Sequence, residues 1–242
     1  MAVHSNFWSS RTQPPELRPG ELHVWRVRTS AAIVPSTLAV LSADERLRAA
    51  TARCDAARRR FVNGRAALRN LLGGYTMAPP QSLDIVAGPH GKPAVHEMPD
   101  LQFNLSHSGT WVMIAFARTV AVGVDLERFR PIPDWARVSD RFLGLAQRQK
   151  IEALPEHDRQ RRFVECWVRK EAYFKMVGSG LAEDSRTVDL IPEDATGLTY
   201  FAPPLARDYA AAVIAHQSSL TLRFMTLVTH FRRWDLNPHT VW

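Results

Sequence analysis

Cysteine is scarce in this chain: two residues in 242, Cys54 and Cys166, stand far apart in sequence. Two distant thiols give no disulfide framework, and both are expected as buried free thiols in a reducing, cytoplasmic setting. Long apolar runs are missing too. No stretch approaches the ~20 residues a membrane-spanning helix needs, and the opening MAVHSNFWSSRTQPPELRPG holds no apolar core of a secretory signal. There is no zinc-ligand spacing, no RNP-like aromatic motif and no clear recognition helix, which removes the common nucleic-acid-binding modules. Neither an internal repeat nor a low-complexity tract occurs. What remains is 45% hydrophobic and 23% charged, enough to bury a core as one large domain or two small ones. The charge is one-sided, +7 at pH 7 and mostly arginine. That balance suits nucleic acid, anionic lipid or a smaller acidic partner.

Periodicity divides the chain. After a loose, proline-containing lead-in over residues 1–20, Glu21 to Arg28 alternates as a first strand. Ser42-Ala-Asp-Glu45 reads as a capping box opening an arginine-rich helix. A helix over Ala56–Leu72 puts Phe61, Gly64, Leu68, Leu71 and Leu72 on one face, with Arg58, Arg65 and Arg69 on its flank and Gly73-Gly74 expected to end it. Between Asp44 and Asn70 eight arginines stand against three acids, a basic and mostly solvated face. Strands are expected at Ser82–Ala87, Leu101–Leu105 and Trp111–Ala117. The last turns at Arg118-Thr119 into a hairpin with a strand over Ala121–Glu127. Pro131 and Pro133 mark a hinge. The second half repeats the order: helices over Ser139–Leu154 and Arg161–Val177, the latter closed by Gly178-Ser179-Gly180, then strands at Val188–Ile191 and Leu198–Phe201. Tyr209–Ala215 and Leu220–Phe224 are expected as a closing hairpin. The fold class is α+β, with two similar lobes over residues 21–118 and 119–225 and a tail over 226–242.

Chemistry gathers on three stretches. In AVGVDLE, strand alternation puts Asp125 and Glu127 on one face and Leu126 on the other. Neighbouring carboxylates repel and resist desolvation. A hard divalent cation such as Mg2+ resolves that conflict and leaves ligand positions for phosphate; the simpler alternative is a solvated strand end. In WVRKEAYFKMVGSG, Glu171 and Lys175 are four apart and share a face that Val164 and Val168 continue, while Trp167 and Phe174 pack inward. They make either a surface ion pair or a third metal carboxylate with a cation for phosphate. In Ser106-His107-Ser108-Gly109, adjacency of serine and histidine is not the geometry of a nucleophilic triad. A structural histidine is one alternative, and phosphate contact by Ser106, His107 and an arginine is the other. Three acids alone also allow another metal-dependent phosphoryl enzyme, and the net charge allows a basic nucleic-acid-binding protein.

In their order, GKP (Gly91 to Pro93), FNLSHSG, GVDLE and WxxKEAxxKxxGxGL resemble the Sfp-type 4'-phosphopantetheinyl transferases. The resemblance runs from about Arg60 to Leu181 and departs slightly at Val168-Arg169, where a small polar residue often follows the tryptophan. It implies two α+β lobes with a coenzyme A cleft between them. It implies transfer of the phosphopantetheine arm of coenzyme A to a serine of an acyl, peptidyl or aryl carrier protein, with release of 3',5'-ADP. Asp125, Glu127 and Glu171 are then the ligands of Mg2+, with Mn2+ as the alternative ion, and Lys175 contacts the pyrophosphate. Ser106, His107 and Arg60 surround the 3'-phosphate, with Arg58 and Arg59 as alternatives in register. Gly91, Lys92 and Pro93 border the adenine and its phosphate. Glu171 is the candidate base for the carrier serine. A monomer serving secondary metabolism is expected, with no nucleic-acid or membrane partner.

Overall fold

The structure, a computed structural model, describes residues 7–29, 31–88, 91–179 and 197–228. In chain order the elements are β1 (Ser9–Arg11), β2 (Glu21–Arg28), α1 (Pro35–Ala39), α2 (Ala43–Ala50), α3 (Asp55–Thr76), β3 (Ile85–Ala87), β4 (Pro93–Val95), β5 (Leu101–Ser108), β6 (Trp111–Arg118), β7 (Val122–Arg128), α4 (Trp135–Phe142), α5 (Leu145–Glu152), α6 (Glu156–Val177), β8 (Thr199–Phe201), β9 (Tyr209–Ala215) and β10 (Thr221–Leu227). A five-stranded sheet has the order β1-β10-β2-β6-β5, with β10 parallel to both its neighbours and the other pairs antiparallel. A three-stranded antiparallel sheet has the order β7-β9-β8, and β3 and β4 make a separate ribbon.

Alternation along the strands stacks these elements in four layers. Trp25 and Val27 of β2 join Phe103, Ile114 and Phe116 against Leu68, Leu71 and Leu72 of α3. Leu22 and Val24 face the other way, onto Val124, Leu126, Ala211 and Val213 of the smaller sheet. On β9, Ala210, Ala212 and Ile214 turn from the first sheet to meet Val164, Val168 and Ala172 of α6. The two outer helices, α3 and α6, are each 22 residues long and cover one sheet apiece, which is the α+β, two-lobed architecture expected. Full burial of each large apolar side chain is worth about 1.5–3 kcal/mol, and these faces rather than helix propensity hold α3 and α6 in place.

Several elements differ from expectation. α3 passes through Gly73-Gly74 and stops at Thr76, where Met77 takes φ 57. The glycines serve close packing, since a Cβ on Gly74 would overlap the ring of Pro14. Residues 139–154 break into α4 and α5 around an extended Leu143. β3 begins only at Ile85, after a 3-10 turn at Pro80–Ser82, while β5 extends through Ser108. β6 and β7 form no hairpin: Thr119, at φ 57, carries the chain out of the first sheet, and β7 pairs with β9. Nor do β9 and β10 pair, because β10 crosses back between β1 and β2. From Phe7 onward the lead-in is not loose: Trp8 is buried and β1 pairs with β10. Cys54 is exposed at the N-cap of α3 rather than buried, and Cys166 is half-buried; both are free thiols. The boundary expected at 118/119 falls between β6 and β7, and β10 from beyond it completes the first sheet. The strand expected at Val188–Ile191 and the tail past residue 228 lie outside the described residues. Among the described residues no helix is long and apolar enough to cross a membrane.

Candidate active site

β7 lies beside β5 with side chains, not a main-chain ladder, joining the two strands. Asn104, Ser106 and Ser108 alternate along β5 and so project to one side. Asn104 Oδ1 accepts from the Val124 N–H at 3.0 Å, and Ser106 Oγ donates to Asp125 Oδ1 at 2.6 Å. Ser108 Oγ donates to Glu127 Oε2 at 2.7 Å and accepts from the Arg128 N–H at 3.1 Å. Gly123 lets α6 press directly on β7, because a Cβ there would overlap the Ala172 carbonyl oxygen. That approach brings Glu171 and Lys175 to the same edge. Lys175 Nζ meets Asp125 Oδ1 at 2.6 Å and Ser106 Oγ at 3.1 Å, so its ammonium goes to β7 rather than into an i,i+4 pair with Glu171.

A cavity of about 510 Å3 opens where α3, β5, β7 and α6 meet. Asp125, Glu127, Glu171 and Lys175 line it, together with Arg60, Gly91, Ser106 and His107. A larger hollow of about 1070 Å3, with Trp8, Arg26 and Tyr200 in its wall, contains none of the residues expected from the motifs. Asp125 is 3% exposed, and its Oδ2 has no hydrogen-bond partner among the described residues. Burial raises the Glu127 carboxyl above its ordinary value; the Ser108 bond opposes this and the Asp125 charge adds to it. Glu171 is raised in the same way, by burial first and Asp125 second, with Lys175 pulling against both. His107 is exposed at the surface, yet partial desolvation within the cavity and the charges of Arg60 and Lys175 lower its imidazole below the ordinary value. Among the described residues no three His, Cys, Asp or Glu side chains are gathered closely enough to hold a metal ion. The donor set nevertheless fits a hard divalent cation in its chemistry: oxygen-only carboxylates, one with an unpartnered buried oxygen and two made costly to ionise by burial and mutual charge.

Two of the expected residues stand elsewhere. Lys92 Nζ donates to the carbonyls of Val122 at 3.2 Å and Met176 at 3.1 Å, tying the start of β7 to the end of α6, and Pro93 opens β4. Neither lines the cavity. Of the three consecutive arginines, Arg60 lines it, whereas Arg58 and Arg59 do not. Arg69, expected on a solvated flank, is 2% exposed and bonded to Glu45 at 2.6 Å. Arg48, Arg65 and Trp167 are cavity residues that the motifs did not single out for it. Nothing in the basic run marks Arg48 and Arg65 apart from their neighbours. Trp167 had a signal, its place one helical turn before Glu171.

Two family models match the chain in tandem: "4'-phosphopantetheinyl transferase, N-terminal" over residues 25–119 and "4'-phosphopantetheinyl transferase superfamily" over residues 121–222. The chain is 34% identical over 178 residues to the 4'-phosphopantetheinyl transferase HetI of Nostoc sp., covering 71% of this chain and 75% of that protein. It is 32% identical over 161 residues to a putative 4'-phosphopantetheinyl transferase of Synechocystis sp., covering 66% and 65%. Against the 4'-phosphopantetheinyl transferase Sfp of Bacillus subtilis it is 33% identical over 93 residues, covering 38% and 40%. The junction between the two matched regions falls at the passage from β6 to β7, where the chain leaves one sheet for the other. Tandem family models over residues 25–119 and 121–222, and a 34% identical relative matched over 71% of this chain, show that the chain belongs to the 4'-phosphopantetheinyl transferase family.

Proposed function

We propose that this chain transfers the 4'-phosphopantetheine arm of coenzyme A to a serine hydroxyl of an acyl, peptidyl or aryl carrier protein, releasing 3',5'-ADP. The observation that carries the proposal is one cavity in which three carboxylates, Lys175, His107 and Arg60 from both halves of the chain meet. Family membership and the names of its relatives support it. Arg60 and His107 receive the 3'-phosphate through charge-assisted hydrogen bonds. Lys175 serves the pyrophosphate; Ser106, expected at the 3'-phosphate, bonds Lys175 at 3.1 Å and joins it there instead. Lys175 offsets the negative charge that grows on the departing phosphate. Asp125, Glu127 and Glu171 would hold Mg2+ or Mn2+, which when bound neutralises pyrophosphate charge. Glu171 takes the proton of the carrier serine. The serine oxygen bonds to the phosphorus that bears the pantetheine arm, and the bond from that phosphorus to the bridging oxygen of 3',5'-ADP breaks. Residues from both halves of one chain line the cavity, and a monomer goes with that reading.

The test incubates the purified chain with Mg2+, an apo-carrier protein and coenzyme A labelled in its pantetheine arm. Label should appear on the carrier serine, and a chelator should prevent it. Release of labelled phosphopantetheine to water without carrier would instead indicate a pyrophosphatase. Failure to load carriers of all three kinds would overturn the proposal.

A further inference from the structure

The seam between β5 and β7 couples sheet assembly to the placement of a carboxylate. The Val124 and Arg128 amides bracket Asp125 and Glu127 in sequence, and each bonds a β5 side chain. Asn104 and Ser108 are 4% and 8% exposed, so solvent is a poor substitute for either. A serine hydroxyl has one proton to give. In Ser108 the oxygen accepts the Arg128 N–H, and the proton goes to Glu127 Oε2. A main-chain ladder at this edge would join the strands equally well but would leave the Glu127 side chain to its own rotamers. We propose that Ser108 is a positioning residue for Glu127, occupying one carboxylate oxygen and leaving the other to a divalent cation in the cavity, while Asn104 sets the β7 register that permits this. The proposal rests on the metal role given above to Asp125, Glu127 and Glu171. Partners of metal-ligating groups typically contribute about 10- to 100-fold in metal affinity.

Mn2+ is a suitable probe, because the free ion is counted directly by its paramagnetic resonance signal. The full chain is titrated with Mn2+ in the presence of coenzyme A, and coenzyme A binding is measured separately with a chelator present. Ser108→Ala should weaken Mn2+ by about 10- to 100-fold and leave chelator-insensitive coenzyme A binding unchanged. Ser108→Thr, which keeps the hydroxyl, should restore Mn2+ affinity. A merely structural role would lower the melting temperature and both affinities together. If Glu127→Ala weakens Mn2+ and Ser108→Ala does not, the positioning role is overturned while the metal reading stands. If Glu127→Ala leaves Mn2+ binding untouched, or the unaltered chain binds none, the metal reading falls and the positioning role with it. Should Ser108→Ala fail to fold, Ser108→Cys against Ser108→Thr makes the same comparison, since a thiol is only a weak donor. Equal Mn2+ affinity in those two would overturn the proposal.

Discussion

Glu45→Ala should be one of the costliest single changes in the molecule. Glu45 is 7% exposed and accepts from Arg69 Nε at 2.6 Å, Arg65 Nε at 2.8 Å and the Ser42 N–H at 3.0 Å. It is therefore both the N3 residue of the α2 capping box and the counter-ion of a guanidinium buried to 3% of its side-chain surface. Arg69 keeps the carbonyls of Pro80 and Leu83 without it, but not a negative charge. Removing one partner of a buried ion pair costs about 3–5 kcal/mol, and losing the cap adds about 1 kcal/mol. Arg65, whose side chain is 20% exposed, adds less than Arg69 does. The sum, about 4–6 kcal/mol, corresponds to a melting-point drop on the order of 10–20 °C for a chain of this size. Ser42→Ala is the control, since it removes only the reciprocal half of the cap at about 1 kcal/mol. Burial alone would raise the Glu45 carboxyl; the Arg69 bond and the Arg65 charge outweigh it and hold the group below its ordinary value near 4.5. A depressed carboxyl stabilises above its unfolded pKa and loses that effect as pH falls through the folded one. The gap between the unaltered chain and Glu45→Ala should accordingly be full at neutral pH and close under acid conditions. Urea or thermal melts measure both. If Glu45→Ala melts no lower than Ser42→Ala, the buried-pair reasoning is wrong.

Glu171→Gln keeps shape and one oxygen but cannot take a proton, so single-turnover transfer should fall by about two to four orders of magnitude with coenzyme A still bound; near-normal turnover at saturating Mg2+ would assign the base elsewhere. His107→Ala should cost about 1.5–3 kcal/mol in affinity for coenzyme A and far less for 3'-dephospho-coenzyme A, by calorimetry; equal losses would remove His107 from the 3'-phosphate. Gly123→Ala forces β7 off α6, draws Asp125 away from Lys175, and should destabilise by at least the ~1–3 kcal/mol typical of overpacking; a melt within error of the unaltered chain would contradict the close approach. Carrier affinity should weaken as salt rises, since exposed charges are screened over about 8–10 Å and the arginine excess serves mainly association; a carrier KM independent of salt would refute this.

That Asp125, Glu127 and Glu171 share a cavity was foreshadowed by strand alternation for the first two and by the family motifs for the third. β2 and α6 were legible from their period, β6 from its unbroken apolar run, β7 from its apolar start and paired acids, and the α2 capping box from four residues. Strand partnership was not. Arg118-Thr119 is a short spacer between two strand-like runs, and nothing local distinguishes a hairpin from a strand that leaves for another sheet; the deciding contacts lie on β9, some ninety residues on. Gly73-Gly74 was ambiguous in the same way, since glycine both ends helices and admits close neighbours, and Pro14 settles which. The anchoring of the Lys92 ammonium and the burial of Arg69 were not legible, because they depend on main-chain carbonyls and, for Arg69, on Glu45, which no sequence motif advertises.

The position of β10 has a consequence for biosynthesis. It sits between β1 and β2, and Arg26 Nε of β2 bonds Thr226 Oγ1 across 200 residues. As the nascent chain leaves the ribosome, β2 and β6 can pair early, yet the far edge of β2 waits for about 100 more residues, roughly 5–20 s at usual elongation rates. Through that interval an unpaired strand edge with buried-type side chains, Leu22, Val24 and Trp25, is open to the wrong partner. Such an edge invites chaperone capture during synthesis. A polypeptide cut at the sheet-to-sheet passage near residue 119 would keep that edge of β2 open permanently.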